Sequence, residues 1–280
     1  MSFFRYPGGK GKLSEEIIPY LKRMSFKKNI EYREPFFGSG SIGLKYLEDF
    51  EIINKIWIND KDLGISSLWT AVINNKEDLK QMVRDFKPSV EEFYRIKKYF
   101  ENDCSEGIEC GFNKLAIHQI SYSGLGLKSG SPLGGKNQNS EYKIDCRWSS
   151  DYICKKIDLA SKILNRKLKN NCCNSCDFEE LIKDEDDAVL YLDPPYYEKG
   201  NELYILGFKD EDHFRLMNLL KNCKHKWVLS YDDCDFIRYL YSWAKIINLN
   251  VKYTIKNKKE NNNKKEIVII NKSSIQEIFS

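Results

Sequence analysis

The sequence predicts an α/β fold, a parallel sheet with covering helices, interrupted by one helical insert. Three observations predict it. Tyr32 to Ser41 reads as a strand running into the glycine-rich turn Gly38-Ser39-Gly40, and helical periodicity follows through Ile42, Leu44, Tyr46 and Leu47. From about Lys61 to Ser149 apolar residues recur at helical spacing with no convincing strand. Beyond Ser150, helices and short apolar strands alternate again. A chain of 280 residues can hold one large α/β domain or a core with an inserted subdomain. The division expected is a core of residues 1–60 and 150–280 and an insert of residues 61–149.

Each element has its own warrant. Arg5-Tyr6-Pro7-Gly8-Gly9-Lys10 is a turn leading into a helix from about Leu13 to Met24. A second strand, Ile52 to Ile58, ends on Asn59-Asp60. The insert shows helical spacing over Leu68–Ile73, Leu79–Phe86, Val90–Phe100 and Phe112–Ser121, then a long polar stretch from Ser121 to Asn139. A helix around Ser150–Leu164 precedes a short strand near Asn170–Cys173, and Ala188–Leu192 is an apolar strand. A helix at Glu211–Leu220, the strand Trp227–Tyr231, a helix over Asp235–Tyr241 and two closing strands, Ile246–Ile255 and Glu266–Asn271, follow. Lys256–Lys265, between the last two, reads as a solvated hairpin turn or a phosphate-contacting loop.

Composition narrows the class. Apolar residues at 41% and aromatics at 13% are enough for a packed core and exclude global disorder. Lys+Arg at 45 against Asp+Glu at 41 leaves +4, which suits a polyanion partner without requiring one. There is no long apolar stretch and no signal-peptide core after Met1, so a soluble, cytoplasmic protein is expected. The nine cysteines are expected as reduced thiols. Cys172, Cys173 and Cys176 form the only tight cluster, but no second pair matches it and His118, His213 and His225 are the only imidazoles, so no metal is expected.

The chemistry is concentrated in Asp193-Pro194-Pro195-Tyr196, at the end of the strand Ala188–Leu192. The amino group of adenine or cytosine is a poor nucleophile, because its lone pair is delocalised into the ring. If the Asp193 carboxylate and the Pro194 carbonyl each accept one N–H, the nitrogen can pyramidalise toward an electrophile, an electrostatic preorganisation. The two prolines fix φ and remove competing donors. Tyr196 offers a flat face for a base, which must be swung out of the stack to react. The bland alternative is a strand ending in a proline turn.

A strand, a glycine turn and a helix N-terminus are also how a parallel sheet makes a cofactor cleft. The spacing is not that of a full dinucleotide fingerprint. Asp60, at the tip of the next strand, lies where a ribose diol is bound, or else caps a helix beginning near Leu63. Together they favour an adenosine-containing cofactor. The stretch Ser121–Asn139 is rich in Gly, Ser, Lys, Asn and Gln, the residues that contact phosphates and base edges. It reads as a DNA reader, with Ser121, Tyr122, Lys128 and Lys136 as contacts, or as a mobile linker.

In this order, Tyr6-Pro-Gly-Gly-Lys10, Glu34-Pro-Phe-Phe-Gly-Ser-Gly40, Asp60, Asp193-Pro-Pro-Tyr196 and Val228-Leu-Ser-Tyr-Asp232 resemble the Dam-like, alpha-class family of DNA adenine-N6 methyltransferases over most of the chain. The resemblance implies an S-adenosylmethionine-dependent, site-specific enzyme acting on N6 of a flipped adenine in duplex DNA. It also implies a Rossmann-like core with a seven-stranded, mostly parallel sheet ending in a reversed hairpin, and a helical insert for target recognition. By position, Tyr6 and Lys10 would border the cofactor, Phe36, Gly38 and Gly40 line the turn beneath it, and Asp60 hold its ribose. Asp177 and Phe178 would meet its adenine, and Asp193 would touch both cofactor and target. No membrane or obligatory protein partner is implied; a cognate restriction endonuclease encoded elsewhere is one such enzymes can have. The loop after Ser121 departs from the Asn-Arg and Arg-x-Asn pattern of members that read GATC, and Tyr6 stands where some relatives carry Trp. Cytosine N4, RNA, or a vestigial DNA-binding role remain as alternatives.

Overall fold

Alternate residues of the strand Ala188–Leu192 (β4) point to opposite sides of the molecule, and both sides are buried. Val189 and Tyr191 enter one apolar cluster, while Ala188, Leu190 and Leu192 enter another. This is the burial expected of a central strand with helices on both faces. The computed structural model describes residues 3–7, 10–11, 13–25, 30–49, 52–165, 172–198, 207–249 and 266–271.

β4 lies within a seven-stranded sheet. Its companions are Ile30–Glu34 (β1), Ile53–Asn59 (β2), Cys172–Asn174 (β3), Lys226–Asp232 (β5), Lys245–Asn248 (β6) and Glu266–Ile270 (β7). The order is β3-β2-β1-β4-β5-β7-β6. The first five are parallel, and β7 runs antiparallel to both β5 and β6. The mostly parallel sheet with a reversed hairpin is as expected. Of the expected strand Ile246–Ile255, β6 contains Ile246–Asn248; residues 250–265, which hold the rest of it and the basic turn Lys256–Lys265, lie outside the described residues.

Helices Ser14–Met24 (α1), Gly43–Glu48 (α2), Leu63–Asn74 (α3), Lys76–Asp85 (α4), Val90–Asn102 (α5), Ile108–Ile120 (α6) and Ser150–Asn165 (α7) contribute to the first cluster. Phe178–Lys183 (α8), Asp210–Asn222 (α9) and Asp235–Leu240 (α10) cover the other face. α3 starts five residues earlier than its apolar periodicity suggests. Asp62 caps it by accepting the N–H groups of Gly64 and Ile65 at 2.9 and 3.2 Å.

α6 is buried over every residue from Cys110 to Ile120, including Lys114 and His118. Lys114 is ion-paired with Asp62, so its charge is compensated inside the protein. Gly111 lets α6 approach α3 closely, since a Cβ there would stand 2.6 Å from the backbone of Leu68. On β1 the buried charges of Glu31 and Arg33 are likewise matched. Arg33 donates to Glu31 at 3.0 Å and to the carbonyls of Leu181, Asp184 and Asp186 at 2.8, 3.2 and 3.1 Å.

The stretch after Ser121 is ordered by hydrogen bonds. Two short 3-10 turns, Tyr122–Gly124 and Gly126–Lys128, are followed by a bridge from Ser121 to Pro132. The Ser121 hydroxyl accepts the Gly126 N–H at 2.8 Å, and His118 Nδ1 meets the Gly124 carbonyl at 2.8 Å. The Gln138 side chain ties Leu133, Gly135 and Ile144 together.

Candidate active site

Parallel strands put their carboxyl ends on one edge, and a crevice opens where the connections diverge to opposite sides. Here that point lies between β1 and β4. Glu34 ends β1, Asn59 ends β2, Asp193 follows β4 and Asp232 ends β5. Glu266, the first residue of antiparallel β7, is paired with Asp232 and so reaches the same edge.

A crevice opens there, lined by Tyr6, Lys10, Glu34, Phe36, Asp60 and Asp193 among others. The Asp60 carboxylate accepts the Gly38 N–H at 2.8 Å and the Asp62 N–H at 3.0 Å. It therefore ties the glycine turn to the strand tip and does not cap α3, which Asp62 does. Burial and the neighbouring Asp62 charge raise the Asp60 pKa to about 7, against the two N–H donors and Lys114. Gly38 has φ +48°, and a Cβ on it would lie 3.1 Å from the Tyr6 ring. Gly40, at φ +65°, packs beneath the turn against Phe37 and Trp69 and does not line the crevice. Burial drives the Glu34 carboxyl well above the usual range, aided by Asp193 and Asp60 and opposed by the Tyr32 hydroxyl, which donates to it at 2.6 Å.

Asp193 is held from two sides. Lys10 Nζ lies 3.0 Å from its Oδ1, and Ser230 donates to the same oxygen at 2.9 Å. Tyr191 keeps its proton, because burial first and Asp193 second raise its pKa well above normal, so it donates to Ser230 at 2.9 Å. Burial also raises the Asp193 pKa, with Lys10 opposing and Glu266 adding to the shift. The side chain remains 18% exposed. Tyr196 donates to Glu266 at 2.7 Å, and Lys10 lies 4.2 Å from the Tyr196 ring centre and 3.8 Å from Glu266.

The structure thus brings Tyr6, Lys10, Phe36, Gly38, Asp60 and Asp193 to one crevice, with Pro194 buried and Tyr196 half-buried next to it. Gly8 and Gly9 lie outside the described residues. Phe178 meets the crevice through Phe36, their ring centres 5.5 Å apart. Asp177 does not line it. Its side chain caps α8 through the Glu179 N–H at 3.1 Å and pairs with Arg215 at 3.0 Å. Ser121 is fully buried and braces its loop from within, whereas Tyr122, Lys128 and Lys136 are exposed. A direct DNA contact by the Ser121 side chain does not fit this burial. Among the described residues no cluster of three His, Cys, Asp or Glu could hold a metal, and no helix is long and apolar enough to cross a membrane.

Sequence reasoning gave no role to Ser230, which bonds Asp193, to Tyr191, which bonds Ser230, or to Glu266, which bonds Tyr196. Ser230 and Tyr191 carried a faint signal, a hydroxyl inside an otherwise apolar strand. Glu266 carried none, because its place depends on β7 lying between β5 and β6.

Comparisons with known proteins point to one family. A family model for D12 class N6 adenine-specific DNA methyltransferases matches residues 6–255. The chain is 24% identical, over 286 aligned positions, to a DNA adenine methylase of Haemophilus influenzae, covering 96% of this chain and 92% of that protein. It is 25% identical over 242 positions to the type II methyltransferase M1.LlaDCHI of Lactococcus lactis subsp. cremoris, with 81% and 78% covered. It is 22% identical over 214 positions to the type II methyltransferase M.CviBI of Paramecium bursaria Chlorella virus NC1A, with 74% and 75% covered. Since the family model runs from Tyr6 through the insert and beyond the tip of β5, the chain belongs to the D12 class of N6 adenine-specific DNA methyltransferases.

Proposed function

We propose that the chain transfers a methyl group from S-adenosylmethionine to N6 of an adenine swung out of duplex DNA, with Asp193, Pro194 and Tyr196 at the base. The observation that carries this reading is the state of Asp193. It is half-buried at a strand tip, both of its described bonds fall on Oδ1, and it stands beside a half-buried tyrosine ring.

The crevice suits the donor on three counts. Asp60 offers a carboxylate at a strand tip for a ribose diol, Gly38 leaves room beside Tyr6 that a Cβ would fill, and the aromatic Phe36 forms part of the wall. Tyr6, Lys10, Phe36, Gly38 and Asp60 would hold the donor, with Phe178 acting through Phe36. When bound, the donor supplies an electrophilic methyl group on a sulfonium.

The chain's own residues do the rest. Lys10 and Ser230 fix the carboxylate plane of Asp193 through Oδ1, so Oδ2 is the oxygen that accepts one N–H of the adenine amino group. The Pro194 carbonyl accepts the other. Both acceptors stabilise the positive charge that grows on N6 as it attacks. Methylated N6 then carries a proton too many, and Asp193 Oδ2 is the nearest base. Its raised pKa makes it a better acceptor than an exposed aspartate. Pro194 and Pro195 keep the turn rigid, which maintains near-attack geometry. Residues 61–149 serve as the target-recognition insert, with the exposed Tyr122, Lys128 and Lys136 facing DNA and Ser121 shaping their loop.

The test is transfer of labelled methyl from S-adenosylmethionine to unmodified duplex DNA, followed by nucleoside analysis. N6-methyl-2′-deoxyadenosine as the sole labelled product supports the reading; label at cytosine N4, or none, sinks it. Sequencing with modification detection then gives the recognition site.

A further inference from the structure

Tyr196 follows two prolines, so the backbone just before it has no N–H with which to anchor itself. The anchors come from elsewhere. The Tyr196 hydroxyl donates to Glu266 Oε2 at 2.7 Å. Burial, then the charges of Asp193 and Glu266, hold the phenol pKa well above normal, so the phenol is the donor. The next two N–H groups both end on one side chain: Tyr197 donates to Asp232 Oδ1 at 3.2 Å and Glu198 to Asp232 Oδ2 at 3.0 Å. Asp232 and Glu266 are direct cross-strand partners in the antiparallel β5–β7 ladder. One pair of facing strand-tip acids therefore holds both the ring of Tyr196 and the chain that leaves it.

We propose that Glu266 and Asp232 are positioning residues that set the plane of the Tyr196 ring, so that the extruded adenine meets a fixed surface. Neither touches a reacting atom; both act through Tyr196. The inference rests on the stacking role given to Tyr196 above. A ring able to swing about its side-chain bonds would have to be immobilised each time a base is flipped. Here the sheet immobilises it beforehand, and the reversed hairpin is the part of the sheet that supplies the acid. Lys10 lies near the same acid, 3.8 Å from Glu266, so two explanations have to be separated: geometry through the hydroxyl or charge through the lysine.

The experiment measures kcat and KM for unmodified duplex genomic DNA by labelled methyl transfer, alongside donor affinity by calorimetry without DNA, for the full chain and its variants. Tyr196→Phe and Glu266→Ala are each expected to lower kcat/KM on DNA about tenfold, and together still only about tenfold, because they break the same bond. Asp232→Ala is expected to fall in the same class. Donor affinity should stay within about twofold in all of them. Glu266→Gln retains an acceptor for the hydroxyl and should recover activity to within about threefold of the parent. Losses that multiply to about a hundredfold in the double variant overturn the inference, as does a Glu266→Gln enzyme no better than Glu266→Ala. A defect confined to donor affinity also overturns it. If Glu266→Ala does not fold, Tyr196→Phe decides alone, since it removes one hydroxyl; parental kinetics there overturn the proposal. A parent protein that leaves DNA adenine unmethylated refutes the functional reading and this inference together, whereas an active parent with multiplicative losses refutes the inference only.

Discussion

If the crevice holds S-adenosylmethionine as proposed, Asp60 gives it a pH dependence whose sign and size follow from its surroundings. Burial and the Asp62 charge raise its pKa to about 7, so near neutrality the carboxyl is divided between its two forms. The hydroxyls of a ribose are donors and bind best to the ionised form. If only that form binds, the dissociation constant rises by a factor of one plus the ratio of protonated to ionised carboxyl, about elevenfold at pH 6 and about 1.1-fold at pH 8. Donor affinity should therefore be about tenfold tighter at pH 8 than at pH 6, or about 1.4 kcal/mol. The free protein should respond with the opposite sign. A carboxyl raised in the folded state binds a proton that the unfolded chain has released, so its contribution to stability falls as pH rises from near 3.8 to about 7 and is level above that. Calorimetric titration of S-adenosylmethionine across this range, without DNA, measures the first effect. Asp60→Asn lacks this titration, and comparing it with the parent cancels the donor's own α-amino group, which titrates at about 8. Parallel pH slopes in the two proteins, or tighter binding by the parent at pH 6, would refute the reasoning.

Asp193→Ala removes the acceptor of the amino group and should lower methyl transfer at least about a hundredfold; a loss under about tenfold, ~1.4 kcal/mol in the barrier, takes Asp193 out of its role. Gly38→Ala forces φ +48° on a residue with a Cβ and presses that atom toward Tyr6, so donor affinity should fall while the melting temperature drops by only a few degrees. Arg33→Leu strands a buried Glu31 and several carbonyls and should cost about 3–5 kcal/mol in urea unfolding, less where Lys55, 2.9 Å from Glu31, compensates. Gly111→Ala wedges a methyl between α6 and the backbone of α3 and should cost about 1–3 kcal/mol, read as a lower melting temperature. A melting point equal to the parent's would mean the helices part freely.

The central strands were legible because their burial is continuous. Ala188–Leu192 announces itself, and so does the apolar centre of β5. β1 is harder, since Glu31, Arg33 and Glu34 break its apolar run; the glycine turn behind it identified the unit, and the cross-chain partners of Arg33 could not be read locally. The first turns of α3 carry no apolar period because Gly64, Ser66 and Ser67 look like surface, although all three are buried. Small polar residues at a close helix crossing follow no apolar period. The loop after Ser121 looked structureless because its order comes from side-chain bonds of Ser121, His118 and Gln138 to backbone, which leave no periodic trace. In the site, residues next to a motif were found and residues brought there by strand order were not. Asp193, Tyr196 and Asp60 belong to the first kind and Glu266 to the second. The cap of α8 and the pairing with Arg215 that engage the Asp177 carboxylate here were not legible in the motif.

The position of β7 bears on how the enzyme is made. Because this strand slots between β5 and β6, the last described piece of chain to leave the ribosome completes an interior layer. Lys10, Asp193 and Glu266 then join the beginning, middle and late part of translation in one cluster. A nascent chain halted before residue 266 already carries Tyr6, Gly38, Asp60 and Asp232, yet it lacks the carboxylate that accepts the Tyr196 hydroxyl.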